Sequence, residues 1–430
     1  MFNEQEKQKI IGLLRQEIVP AIGCTEPVAV SLCTAKAVEI LGFFPEKIIA
    51  RLSANIIKNA MGVVIPGTGE QGLPVAIALG AVCGNAAYGL EVLKEVTPEG
   101  VLRANEMVEQ GAVSVELKKH IDEKLYIEIE CLCGSETSRA IIASSHTHFV
   151  YISRNNDILL DLEHTPVKNK TVGPVLLNMK TIYDFSVSVP LDEVIFIFET
   201  ERINMEAAEY ALRGDFGHQV GKALTAEAGR KIVGDSILAK VMAYTAAACD
   251  ARMGGAQVTI MSNSGSGNQG IAATIPVAVF ARENGNTREE LQRALLMSHL
   301  TAIYIKQSLG RLSALCGCVV ASIGSGCGIT YLMGGDYEKI TYTVKNMVAN
   351  LTGMICDGAK PGCSMKLTSG VSTAVFSALI AMQGHTVAPC EGITDGDVDQ
   401  CIRNLSRIGT HGMRETDSYI FDMMFRKHRS

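Results

Sequence analysis

Two of the thirteen cysteines in this 430-residue chain frame a loop suited to metal chemistry, Cys356-Asp-Gly-Ala-Lys-Pro-Gly-Cys363. Gly358 and Gly362 open backbone angles that other residues avoid, and Pro361 fixes one. Such a loop can bring both sulfurs to one point. An apolar stretch ending at Ile355 precedes it, and Leu367 to Met382 follows as a predicted helix. The pair therefore sits in a turn between two long elements. Two readings fit: a metal site, or a turn with two ordinary buried thiols, because free Cys packs as a small core residue. The spacing is not that of a zinc-finger pair, and no second close pair completes a four-ligand zinc site. A third source of sulfur upstream, Leu315-Cys316-Gly317-Cys318, adds weight to the metal reading.

Other stretches carry chemistry-bearing residues. Gly23-Cys-Thr-Glu-Pro27 leads into a helix predicted from about Val28 to Leu41. Thr25 suits its N-cap and Pro27 its first turn. Cys24 then lies just before a helix N-terminus, where the partial positive charge favours thiolate and lowers the thiol's pKa. The plainer alternative is a buried structural cysteine. Met261-Ser-Asn-Ser-Gly-Ser-Gly-Asn-Gln-Gly-Ile271 opens a helix carrying Pro276. Its free N–H groups, with Ser and Asn side chains, suit an amino-acid carboxylate; a flexible polar loop is the alternative. The glycine-rich turn Ile65 to Gly72 lacks the Gly-Lys-Ser/Thr ending of a phosphate loop. Ser145-His-Thr-His148 could line a site, although a His at a strand edge is more often solvated. Lys360 and Lys366 are the residues a pyridoxal phosphate enzyme would need, and no stretch pairs either with a phosphate cup.

The elements that must position these groups read clearly from periodicity. Ile10, Ile11, Leu14 and Ile18 share one face of a helix over 4–18, ended by Pro20. The stretch 51–61 fits strand or helix. Period-two alternation marks strands at 113–117 and 125–131, with further strands at 139–143, 148–152 and 158–161. Gly134-Ser135 and Asn155-Asn156-Asp157 supply turns between them. Cys131-Leu-Cys133 belongs to that strand pattern rather than to a ligand pair. From Leu191 helices follow one another, over about 191–212, 216–231, 234–251, 270–283, 287–308, 311–323 and 338–353. The expected division is a helical part over 1–90, an inserted α+β unit over 91–190, and a helical domain over 191–430.

Whole-chain composition narrows the class. Net charge is −6 with 20% charged residues and no basic run, which argues against nucleic acid as a partner. The longest apolar runs, such as Val371 to Met382, fall short of the roughly 18–20 residues that span a bilayer, so no membrane role is expected. The N-terminus mixes both charges and is not a signal peptide. An odd number of cysteines then reads as reduced thiols in the cytoplasm. The 41 glycines imply helices packed through small side chains, and with an edge-bearing insert these are consistent with a homodimer.

Gly23-Cys-Thr-Glu-Pro27, Ser264-Gly-Ser-Gly-Asn-Gln-Gly270, Leu315-Cys-Gly-Cys318 and Cys356 to Cys363 together resemble the L-cysteine desulfidases. These are related to the α domain of bacterial iron–sulfur L-serine dehydratases. The resemblance spans nearly the whole chain in the expected order. It implies a mainly α fold, a multi-helix catalytic domain of serine dehydratase alpha type with an inserted smaller α+β domain. It also implies a [4Fe-4S] cluster rather than pyridoxal phosphate, with Cys316, Cys356 and Cys363 as ligands and Cys318 as the alternative to Cys316. Cys24 is implied as the catalytic thiol. The residues assigned to the substrate are Thr25, Glu26, Ser264, Gly265, Ser266, Asn268 and Gln269. The implied activity is β-elimination of L-cysteine to pyruvate, ammonia and sulfide. L-serine dehydration is the close alternative, and a non-catalytic metal or amino-acid binding protein the distant one.

Overall fold

The computed structural model describes residues 2–121, 123–162, 177–310 and 312–427. A stretch within the predicted insert, 163–176, and the first residue of the helix expected over 311–323 lie outside them. The protein is mainly α-helical, with a small sheet region.

The larger core is a packed set of apolar helices rich in small residues. Ile237–Met253, Gly267–Asn284, Arg288–Leu309, Gly317–Leu332, Tyr337–Leu351 and Cys363–Met382 pack on one another in this core. Close approach explains the glycines inside them: a Cβ on Gly324 would stand 2.2 Å from the Ser298 carbonyl of the neighbouring helix. The Cys363–Met382 helix departs from the sequence expectation. Its uninterrupted apolar run is short, but the whole helix has the length and apolar composition to cross a bilayer. Here it packs between three helices of the core, and its first turns carry Lys366.

Eight strands lie among the described residues: β1 (Pro20–Ile22), β2 (Lys47–Leu52), β3 (Val113–Leu117), β4 (Tyr126–Cys133), β5 (Glu136–Ala143), β6 (Phe149–Arg154), β7 (Asp157–Asp161) and β8 (Thr259–Met261). β1 and β8 pair antiparallel. The other six form one sheet in the order β3-β2-β4-β5-β6-β7, parallel only between β2 and β3. The ambiguous stretch 51–61 resolves into the end of β2 and a short helix, Ala54–Ala60. The sheet therefore draws β2 from before position 91.

The alternating pattern sorts the two faces of the sheet. Ile48, Ala50 and Leu52 of β2 and Ile127, Ile129 and Cys131 of β4 are buried in a second core with the Thr25–Leu41 helix. The other face carries charge. Glu128 is buried beneath Arg51 at 3.0 Å, Lys118 at 2.6 Å and Arg139 at 3.1 Å, and accepts from the Tyr126 hydroxyl. Burial raises its carboxyl, and the Lys118 and Tyr126 hydrogen bonds with the nearby cations outweigh that and hold it below its ordinary value.

Candidate active site

Short-range backbone pairing joins the cysteine loop to Cys316. Leu315 and Ile355 form an isolated antiparallel bridge. The Cys316 N–H donates to the Met354 carbonyl at 2.9 Å, and the Cys356 N–H to the Ala314 carbonyl at 2.7 Å. Two sulfurs 40 positions apart in sequence are thereby set side by side. Cys363 follows a tight turn, its N–H bonded to the Lys360 carbonyl at 2.9 Å, and opens the Cys363–Met382 helix. The loop is seated from below. Gly358 has φ +85°, and a Cβ there would lie 2.3 Å from the Lys58 carbonyl of the Ala54–Ala60 helix. Lys58 is itself buried and ion-paired with Asp417 of the C-terminal helix.

Cys316, Cys356 and Cys363 line one cavity of about 80 Å³, which Cys24 also lines. On this measure one water needs about 10–15 Å³, so the cavity takes a small molecule and not a peptide. Thirteen free thiols and no disulfide are present among the described residues. No three His, Cys, Asp or Glu side chains there are gathered so as to hold a metal ion. Three soft thiol donors at the rim of one cavity suit a wider, polynuclear centre held by thiolates.

The charges around the sulfurs are uneven. Cys316 is lowered to about 6, chiefly by a hydrogen bond from the Cys318 thiol, with Lys366 and backbone N–H groups of the following helix adding to it. Cys318, the donor of that bond, moves upward. The bond between them thus favours the thiolate on Cys316. Burial raises Cys356 and lifts Cys363 to about 11, each made worse by the Cys316 charge. Lys366 donates to the Ile355 carbonyl at 2.7 Å and pairs with Asp357, which also holds Lys360.

Two helix starts supply further lining residues. Cys24, not Thr25, occupies the N-cap position of the Thr25–Leu41 helix, and it makes no side-chain cap bond. The expected acidic thiol is not what the structure gives. Cys24 is raised well above its ordinary value of 9.0, first by burial and then by the Glu26 charge, which together outweigh Arg252. Burial overrides the helix end, and the carboxylate beside the sulfur adds to it: Cys24 Sγ donates to Glu26 Oε2 at 3.1 Å. Glu26 is pushed up by burial, yet His146, the Cys24 bond and Arg252 prevail and keep it below 4.5. Its Oε1 accepts from Asn59 Nδ2 at 3.0 Å and lies 4.0 Å from His146 Nε2. His146 comes from the turn between β5 and β6, so the sheet unit contributes a side chain to the cavity.

Asn263 to Ser266 forms a two-residue turn closed by reciprocal backbone bonds of 3.1 and 3.0 Å. Ser264 at φ +51° and Gly265 at φ +78° fit a type I′ turn. The turn is anchored on both sides. Thr25 Oγ1 donates to the Gly265 carbonyl at 3.0 Å, and the Asn263 amide bonds to His299 Nδ1 at 3.0 Å. Burial lowers His299 to about 3, so it is a neutral imidazole, held on its other side by Thr274.

Of the residues singled out in the sequence, Glu26, His146, Gly265, Ser266, Asn268, Gln269 and Lys366 line the cavity with five cysteines, Cys24, Cys316, Cys318, Cys356 and Cys363. Thr25 and Ser264 do not. Thr25 braces Glu26 and the turn, and the Ser264 hydroxyl donates to Asn263 Oδ1. Asn59, Arg252 and Lys306 also line it and carried no motif. The available signal was a charged or amide residue inside an apolar helical run, as in Ala246 to Met253.

The sequence profile of the serine dehydratase alpha chain matches residues 87–422. Whole-chain relatives are UPF0597 proteins. One from Phocaeicola vulgatus is 58% identical over 428 residues, covering 99% of each chain. One from Bacteroides thetaiotaomicron is 56% identical over 424 residues, again covering 99% of each. One from Oleidesulfovibrio alaskensis is 43% identical over 426 residues, covering 98% of this chain and 99% of the relative. The chain belongs to the serine dehydratase alpha chain family.

Proposed function

We propose that this family member is an iron–sulfur-dependent lyase that cleaves L-cysteine to pyruvate, ammonia and sulfide. L-serine dehydration is the second reading, favoured by the family's own description. The observation that carries the proposal is the meeting of Cys316, Cys356 and Cys363 at the cavity that Cys24 and Glu26 also line. Cys316, Cys356 and Cys363 would hold a [4Fe-4S] cluster, and such a cluster would supply Lewis acidity toward the leaving heteroatom.

The chain's own residues supply the proton chemistry. Cys24 takes the α-proton, the Cα–H electron pair forms the new double bond, and the Cβ–S pair departs with sulfur. The resulting 2-aminoacrylate tautomerises and hydrolyses to pyruvate and ammonia. Cys24 must first give up its own proton to water, and Glu26 Oε2, which accepts a hydrogen bond from the thiol, holds that proton on the sulfur. That transfer runs uphill, because burial and the Glu26 charge favour the thiol. Activity should therefore rise with pH.

The test is a pair of variants prepared anaerobically. Cys356→Ser should lose the visible cluster absorbance and pyruvate formation together. Cys24→Ala should keep the absorbance and lose turnover. Full activity in Cys356→Ser ends the proposal, and loss of absorbance in Cys24→Ala makes Cys24 a ligand instead.

A further inference from the structure

Two buried polar groups in the cavity lack the partners their chemistry demands. The first is Arg252, in the last turn of the Ile237–Met253 helix and 2% exposed. Its Nε donates to the Gly23 carbonyl at 3.0 Å and its Nη1 to Asn268 Oδ1 at 2.9 Å, with Met253 Sδ at 3.9 Å. All three partners are neutral. A guanidinium has five N–H donors, and among the described residues this one makes no ion pair. Glu26 feels its charge without bonding to it. A buried cation without an anion is costly, so the position is built for an incoming one.

The second is Asn59, 7% exposed. Its Nδ2 donates to Glu26 Oε1, and a carboxylate below its ordinary pKa only accepts, so the amide orientation is settled. The remaining atom, Oδ1, is a buried acceptor with no hydrogen bond. Gln269 Oε1, on the first turn of the Gly267–Asn284 helix, is a further buried acceptor without a partner. Buried polar atoms left unpaired carry a penalty that a ligand relieves.

The two groups differ in what they ask for. Arg252 lies against that helix start so closely that a Cβ on Gly267 would come 2.3 Å from its Nε. No side chain caps the helix, so its first-turn N–H groups add to the positive end. Asn59 Oδ1 and the Glu26 carboxylate form the accepting end. We propose that these are the two poles of an α-amino-acid subsite, with Arg252 and the Gly267 helix start holding the substrate carboxylate and Asn59 with Glu26 holding its ammonium. This deepens the lyase reading and rests on it for the reaction, while the binding it describes can be measured without turnover.

The experiment is calorimetric titration of the full-length chain, kept under nitrogen, with L-alanine, which lacks a leaving group, and with propionate and L-alaninamide, which each keep one pole. Wild-type protein should bind L-alanine at least tenfold tighter than either single-pole analogue. Arg252→Met should weaken L-alanine at least tenfold and abolish its preference over L-alaninamide. Asn59→Leu should weaken L-alanine and leave propionate unchanged. Equal binding of all three ligands by the wild type, or no uptake of L-alanine, overturns the subsite. A wild type that forms pyruvate from L-cysteine while failing this titration keeps the lyase reading and loses only the two poles. The analogue series on unmutated protein decides the matter if a variant fails to fold.

Discussion

Replacing Glu26 with Gln changes the charge beside Cys24 while keeping the side chain's size. In the wild type the carboxylate accepts from Cys24 Sγ and Thr25 Oγ1, each at 3.1 Å, and from Asn59 at 3.0 Å. Cys24 is 1% exposed and Glu26 8%, so water screens little between them. At an effective dielectric of 20, a thiolate and a carboxylate about 3 Å apart repel by roughly 5 kcal/mol. Less than a third of that, about 1.4 kcal/mol, shifts the thiol–thiolate ratio tenfold at fixed pH. Burial still opposes the thiolate and Arg252 still favours it, so the change has one sign: Glu26→Gln makes Cys24 easier to ionise.

The assay is the pH dependence of kcat/KM for pyruvate formation from 3-chloro-L-alanine, whose leaving group does not titrate. If Cys24 acts as thiolate and is raised well above 9.0, the wild-type rate climbs about tenfold per pH unit from 7 to 9 without a plateau. In Glu26→Gln the climb levels off at lower pH, and the ratio of rates at pH 9.5 and 7.5 falls. The absolute rate also falls, because the ammonium pole has lost its carboxylate. A wild-type profile flat between pH 7 and 9, or a variant profile displaced toward higher pH, would refute Cys24 as the base under Glu26 control.

If Cys316 rather than Cys318 is the third ligand, as the family resemblance implies, Cys316→Ser should abolish the cluster absorbance and Cys318→Ser should retain it; anaerobic iron analysis reads the difference. Lys58→Met strands the Asp417 carboxylate against the C-terminal helix and should cost about 3–5 kcal/mol, measured by urea unfolding. Because the Lys58 ammonium also favours the Cys356 thiolate, that variant should hold iron more weakly than the wild type.

Elements whose signal is local were readable from the residues alone. The alternation of Val113–Leu117 and Tyr126–Cys133 foretold strands at those positions, and the small-residue runs foretold helices that touch closely. The Gly and Pro content of Cys356 to Cys363 marked a turn. Pairings between distant segments were not readable. β2 joins a sheet otherwise built from residues 113–161, and no local pattern says which strand lies beside it. Arg252 and Asn59 lie within helices, where periodicity reports a face and not the neighbour it meets. The Cys24 expectation failed for a related reason. A helix N-terminus alone favours thiolate, but burial and a carboxylate two residues along are tertiary facts, and they dominate. His146 showed only as part of a polar turn; its approach to Glu26 depends on how the sheet docks against the Thr25–Leu41 helix.

The proposed lyase requires that Cys316, Cys356 and Cys363 hold an iron centre open to substrate. An anaerobic visible spectrum of the iron-reconstituted protein, recorded before and after adding L-cysteine, tests it most directly. A broad cluster absorbance that changes on addition, with pyruvate accumulating, is the expected result. A colourless protein that still forms pyruvate, or a cluster spectrum indifferent to L-cysteine, would contradict it.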